Sequence, residues 1–116
     1  MNNDAKEQAF SVHRRNGFYL SFPNGNSIST IWGVATYSQN RDLGFPEFDK
    51  RVDSMDVEIM PCTSDKRLLK RIFRHFDRSP DDDSVIGWVG MTDWLWVVNQ
   101  LASWKPAVSV LEKVSA

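Results

Sequence analysis

Along residues 17–33, GFYLSFPNGNSISTIWG, apolar and polar positions alternate with a period of two on both sides of Asn24-Gly25. Such alternation around an Asn-Gly pair predicts a β-hairpin. The turn length follows from the faces. A two-residue loop pairs Phe22 with Ser27 and sets Phe18, Leu20 and Phe22 beside the serines. A three-residue loop, Pro23-Asn24-Gly25, pairs Phe22 with Asn26. It then sets Leu20 opposite Ile28 and Phe18 opposite Thr30, with Trp32 continuing that face. One-sided burial fixes register, so the three-residue loop is expected. Proline presets φ at the first turn position, and glycine takes the left-handed position of a G1 bulge. Gly25 is therefore read as backbone geometry. A phosphate cradle wants several glycines ahead of a helix, and here strand alternation follows.

The period-two pattern returns at 55–60, MDVEIM, which predicts a strand ended by Pro61. From Ser64 the period lengthens. Leu68, Leu69, Ile72, Phe73 and Phe76 recur at helical spacing, so an amphipathic helix is expected over about 64–77. Thr63 or Ser64 is its expected cap, with Asp65 favouring the positive helix end. VIGWVG at 85–90 predicts a buried strand. A second helix is expected over about 92–104, capped by Thr92 and stopped before Pro106. Its apolar arc takes Trp94, Leu95, Val98, Leu101 and Ala102. Residues 34–53 form a long connection that Leu43, Phe45 and Phe48 are expected to pin to the body; a loop of that length is functional or hides a short element. Residues 1–15 and 106–116 are read as loose arms or edge strands. The sum is one α+β domain over 1–116: a small antiparallel sheet with two helices on one face.

Composition narrows the function. The 116 residues suit one domain, and 41% apolar and 12% aromatic residues are enough for a core. The net charge of −1 argues against a protein that coats nucleic acid and against an acidic DNA mimic, so any electrostatic partner must meet a local patch. One cysteine, Cys62, excludes an intrachain disulfide and suggests a reducing, cytoplasmic compartment. MNNDAKEQAF lacks the basic-then-apolar pattern of a signal peptide, and WLWVV is too short to span a bilayer. No membrane partner is expected.

Catalytic chemistry is hard to assemble. His13 and His75 are not brought near a nucleophile by any motif, and Cys62 reads as a small, partly buried side chain. Metal-ligand spacings are missing, and Asp81, Asp82 and Asp83 are consecutive, so their side chains diverge instead of converging on a cation. No enzyme, metal or cofactor is expected. The strongest local signal is charge. Lys66, Arg67, Lys70, Arg71, Arg74 and Arg78 fall within 13 residues, six of the chain's 14 basic residues. Lys66, Lys70 and Arg74 step by four, as do Arg67, Arg71 and His75, so each row runs along a helix. Such a face is either simply solvated, balanced by the acidic loop at 81–83, or an electrostatic surface for phosphates or an acidic protein. No aromatic is interleaved with the charges, which weakens a single-strand nucleic-acid reading. Trp96 falls on the side of the second helix shared by Asn99, Gln100 and Ser103. It reads as an interface anchor, or as a sign that the helix is buried nearly all round. Self-association through that helix, as a homodimer, is a further expectation.

Phe18, Leu20, Phe22, Asn24, Gly25, Ile28, Ser29, Trp32 and Gly33 together resemble the opening hairpin of a group of small phage and prophage proteins. Val57-Glu58 and the VIGWVG-to-helix segment match that group more loosely. The likeness covers about 17 residues in its strong part, and the basic helix is more elaborate than the group's pattern. The resemblance implies a phage-like origin, action in the host cytoplasm and no assigned catalytic residue. The expected function is a non-enzymatic binding module that inhibits or modulates a host defence protein, as anti-CRISPR proteins do. The expected contacts are Lys66, Arg67, Lys70, Arg71, Arg74, Arg78 and Trp96. The alternative is a nucleic-acid-binding accessory protein using the same basic helix.

Overall fold

The computed structural model describes residues 9–12, 16–44, 50–81 and 84–105. Five strands, β1 (Ala9–Val12), β2 (Gly17–Ser21), β3 (Ser27–Ile31), β4 (Asp56–Cys62) and β5 (Ile86–Gly90), form one antiparallel sheet in chain order. Helix α1 (Lys66–His75) links β4 to β5, and α2 (Met91–Ser103) follows β5 directly. The fold is α+β. The expected arm at 1–15 contains β1; residues 1–8, 13–15 and 106–116 lie outside the described residues.

The hairpin has the register that one-sided burial demands. Leu20 faces Ile28, Phe18 faces Thr30, and the Phe22 amide donates to the Asn26 carbonyl at 2.8 Å. Gly25 donates to the Phe22 carbonyl at 3.0 Å with φ of 90°, a conformation that favours glycine. The same face continues across the sheet: Ile28 lies opposite Pro61, Thr30 opposite Ile59, Ile59 opposite Ile86, and Val57 opposite Val89. Of these, Ile28, Ile59, Ile86 and Val89 meet Leu68, Ile72 and Phe73 of α1 and Val97 and Leu101 of α2 in a single buried cluster. Both helices therefore pack on one face of the sheet.

Several local readings are corrected. β4 does not end at Pro61 but runs on to Cys62. Its pairing with β5 stops at Ile59, so Pro61 sits where the strand has one neighbour and the missing N–H costs no ladder bond. Helix α1 is capped by Asp65, not Thr63 or Ser64: the carboxylate accepts the Arg67 amide at 2.9 Å. Thr63 instead accepts the Asp65 amide at 3.1 Å. Helix α2 starts from Gly90 without a side-chain cap, and Thr92 lies inside its first turn. Its buried stripe is Val97 and Leu101, with Trp94, Trp96, Val98 and Trp104 at the margin; Leu95 and Ala102 are exposed. The stripe is rotated because α2 must cover both the sheet and α1.

Alternation also fails in β5. Ile86 and Val89 both face the core although two residues separate them. A register shift between Val57 and Ile59 absorbs the extra residue, and Trp88 takes φ of 50°. Trp88 is thereby turned outward, 57% exposed, in a strand expected to be buried.

The long connection holds no helix or strand among its described residues. Phe45 and Phe48 lie outside them, and Leu43 is half-buried. Polar side chains do the pinning. Asn16 donates to the Lys50 carbonyl and accepts from the Val52 amide, each at 2.8 Å. Asn40 donates to the carbonyls of Trp32 (2.8 Å) and Asp53 (3.0 Å). Glu58 accepts the Tyr37 amide at 2.9 Å, and Tyr37 in turn accepts the Trp88 amide at 2.7 Å. Gly87 permits this approach: a Cβ there would stand 2.4 Å from Cβ of Tyr37.

Candidate functional site

The basic face is built by α1 itself. Leu68, Ile72 and Phe73 are buried on one side, and at 100° per residue the basic positions fall on the other. Lys66, Arg67, Lys70, Arg71 and Arg74 are all exposed, within an arc of about 140°. Both helix ends are closed locally. At the C-terminus the Asp77 amide bonds to the Arg74 carbonyl and the Arg78 amide to the Phe73 carbonyl, each at 2.9 Å. This is the paired pattern of a Schellman motif, with Asp77 left-handed at φ of 55°. Arg74 and His75 in the last turn complement the negative helix end.

Arg67 forms an ion pair with Asp65 at 3.3 Å. Lys66, Lys70, Arg71 and Arg74 make no ion pair among the described residues. The chain then turns at 77–81 and builds a groove of about 790 Å³ beside the helix. Lys66, Lys70, Arg74 and the half-buried Arg78 line it, with Leu69 and Pro80 as apolar surface and Asp77 and Asp81 at the turn. The expected balance by the 81–83 loop is represented only by Asp81, since Asp82 and Asp83 lie outside the described residues.

The structure thus brings four of the seven predicted contact residues to one groove, with Arg67 and Arg71 on the adjoining helix surface. Trp96 stands apart from them. It is half-buried at the core margin and stacked on His75, with ring centroids 4.0 Å apart and an 11° tilt. His75 also meets the Asp93 carboxylate at 2.9 Å. Trp96 therefore ties α1 to α2, and its polar neighbours in the sequence do not describe its surroundings.

Asp65 joins the basic helix to the end of α2. The Trp104 indole N–H donates to its carboxylate at 2.8 Å, and Arg67 adds a second side-chain bond. These bonds, the indole's first, hold the Asp65 pKa down to about 2.

The opening turn has a second role that alternation does not announce. Asn24 donates to the carbonyls of Leu101 (2.7 Å), Ala102 (3.3 Å) and Trp104 (3.2 Å). Asn26 donates to Leu101 at 3.0 Å, and its own amide bonds to the Asn24 side chain at 3.0 Å. The turn holds the C-terminus of α2. Sequence reasoning also missed an exposed cluster in which the Arg41 guanidinium lies 4.5 Å from the Tyr37 ring centre and Tyr37 leans on Trp88 at 5.6 Å. The bulge that exposes Trp88 depends on loop contacts, so only tertiary structure reveals it.

No group of three or more metal-ligating side chains converges among the described residues, and none of their helices is long and apolar enough to cross a membrane. Comparison with protein-family models, with curated proteins and with solved structures finds no match. Function is accordingly argued from the surface itself.

Proposed function

We propose that this chain is a non-enzymatic binding protein that covers an acidic surface of another protein with the outer face of α1. The observation that supports this most is the exposed basic arc, four of whose five cations make no ion pair among the described residues. Like charges spaced by four along a helix repel, so the arrangement is mildly unfavourable in isolation and is relieved by an acidic partner. The groove favours protein over nucleic acid. Leu69 and Pro80 offer apolar contact, and Asp77 and Asp81 repel a continuous phosphate backbone. The likeness of the 17–33 hairpin to small phage proteins supports the finer reading, in which the partner is a host defence protein and the chain its inhibitor, as anti-CRISPR proteins are.

The test is capture of partners from bacterial lysate, with and without nuclease, by the wild type and by Arg71→Glu/Arg74→Glu. The expected result is a stoichiometric protein partner that survives nuclease and is lost from the double variant. Recovery of nucleic acid alone, or equal capture by the double variant, overturns the proposal.

A further inference from the structure

On the face of the sheet that carries the helices, a cavity of about 460 Å³ opens, within the usual range for small-molecule sites. Thr30, Val57 and Val89, one from each of three adjacent strands, contribute to its lining. Phe18, Trp32 and Trp94 add aromatic surface. Phe18 meets Trp32 at 5.8 Å with an interplanar angle of 67°, and Trp94 at 5.9 Å with 88°. The rings therefore do not stack flat on one another but turn differently oriented surfaces to the space between sheet, loop and helix.

The indole N–H groups are already used. Trp32 donates to the Val52 carbonyl at 2.8 Å, and Trp94 donates to the Thr30 hydroxyl at 3.0 Å. These bonds lock the ring orientations and leave π and hydrocarbon surface, not N–H donors, to meet a guest. Among the described residues of the lining, Asp53 is the one with a charged side chain. Met55 and Met91, 85% and 68% exposed, add flexible thioethers that adapt to guests of different outline. The start of α2 lies at this cavity, and its positive end is opposed by Asp93 in the first turn.

Aromatic faces with a carboxylate, and no cation among the described lining residues, select one ligand chemistry. An anion is repelled by Asp53. A neutral apolar group gains burial alone. An alkylated ammonium gains burial, attraction to the ring faces and attraction to the carboxylate together. We propose that this cavity is a binding site for a small organic cation carrying an alkylated ammonium group, separate from the basic surface of α1.

Choline and its neutral carbon isostere, 3,3-dimethylbutan-1-ol, are the probes, titrated while the indole N–H resonances of Trp32 and Trp94 are followed by NMR. The expected result is saturable shifts with choline, and binding of the isostere weaker by about ten-fold or more. Asp53→Asn is expected to weaken choline about three-fold or more and to leave the isostere unchanged. This variant keeps the Asp53 carbonyl that Asn40 holds, so the loop is retained. Trp32→Leu, in which the Trp94 resonance alone is read, is expected to reduce the preference for the cation, leaving the share that Asp53 and the remaining rings supply. Equal or tighter binding of the neutral isostere, no saturable shift with choline, or unchanged choline binding in Asp53→Asn overturns the proposal.

Discussion

Helix α1 and helix α2 lie side by side on the same sheet face but are secured in opposite ways. α1 is closed by its own neighbours: Asp65 caps its first turn and Asp77 with Arg78 completes its last. α2 has no side-chain cap at Gly90, no basic residue in its last turn and an extended C-cap at Trp104. Its final carbonyls are met by Asn24 and Asn26, more than 70 residues earlier in the chain. A helix closed locally can leave an entire face free, and α1 does so with its cations. A helix closed from a distance is a structural strut, and α2 joins the hairpin, the sheet and α1.

The sharpest test of that contrast is Asn24→Ala/Asn26→Ala. It leaves the carbonyls at the end of α2 without their four amide hydrogen bonds and is expected to destabilise the chain by about 2–4 kcal/mol. Chemical denaturation measures this, and a loss below about 0.5 kcal/mol would show that α2 closes without the hairpin. At the other helix, Asp77→Gly relieves a left-handed non-glycine residue and is expected to stabilise by about 1 kcal/mol in the same assay. A loss of stability would mean that the Asp77 side chain, and not its backbone, holds the turn.

Asp65→Asn keeps a capping side chain but removes the charge, so its effect is smaller and depends on pH. The folded Asp65 carboxyl has its pKa lowered from 3.8 to about 2, so the ionised form favours the folded chain. The stability it contributes is complete above 3.8 and is lost as pH falls toward 2. Thermal midpoints of wild type and Asp65→Asn are expected to differ at neutral pH and to converge over that interval. A constant difference would assign the effect to geometry instead of charge. The smallest effect on stability is expected for Arg71→Glu/Arg74→Glu, within about 0.5 kcal/mol, because both side chains are exposed and unpaired among the described residues. Denaturation of that variant beside the wild type checks this; a large loss would make the basic face part of the fold.

The hairpin was legible to the level of individual cross-strand pairs because alternation, Pro23 and Gly25 all favour one register. The basic row of α1 was legible because helix periodicity sorts Leu68, Ile72 and Phe73 from the cations without further information. Caps were harder. Thr63, Ser64 and Asp65 are all competent, and only the entry angle of the chain selects Asp65. The polar neighbours of Trp96 on α2 did not separate its two readings, interface anchor or buried residue; its half-buried ring lies on His75 of the other helix.

Sequence alone thus determined the hairpin, the presence of the strands near 55–60 and 85–90, the helix periods, the turn and the charge of α1, since each depends on residues within a few positions of one another. Tertiary structure alone decided the asparagine closure of α2, the outward turn of Trp88 and the aromatic cavity beside Asp53. These depend on polar groups and rings from distant segments meeting in one place. Hydrogen bonds and packing operate over a few ångströms of space, whatever the separation along the chain, so periodicity carries no record of which partners will meet.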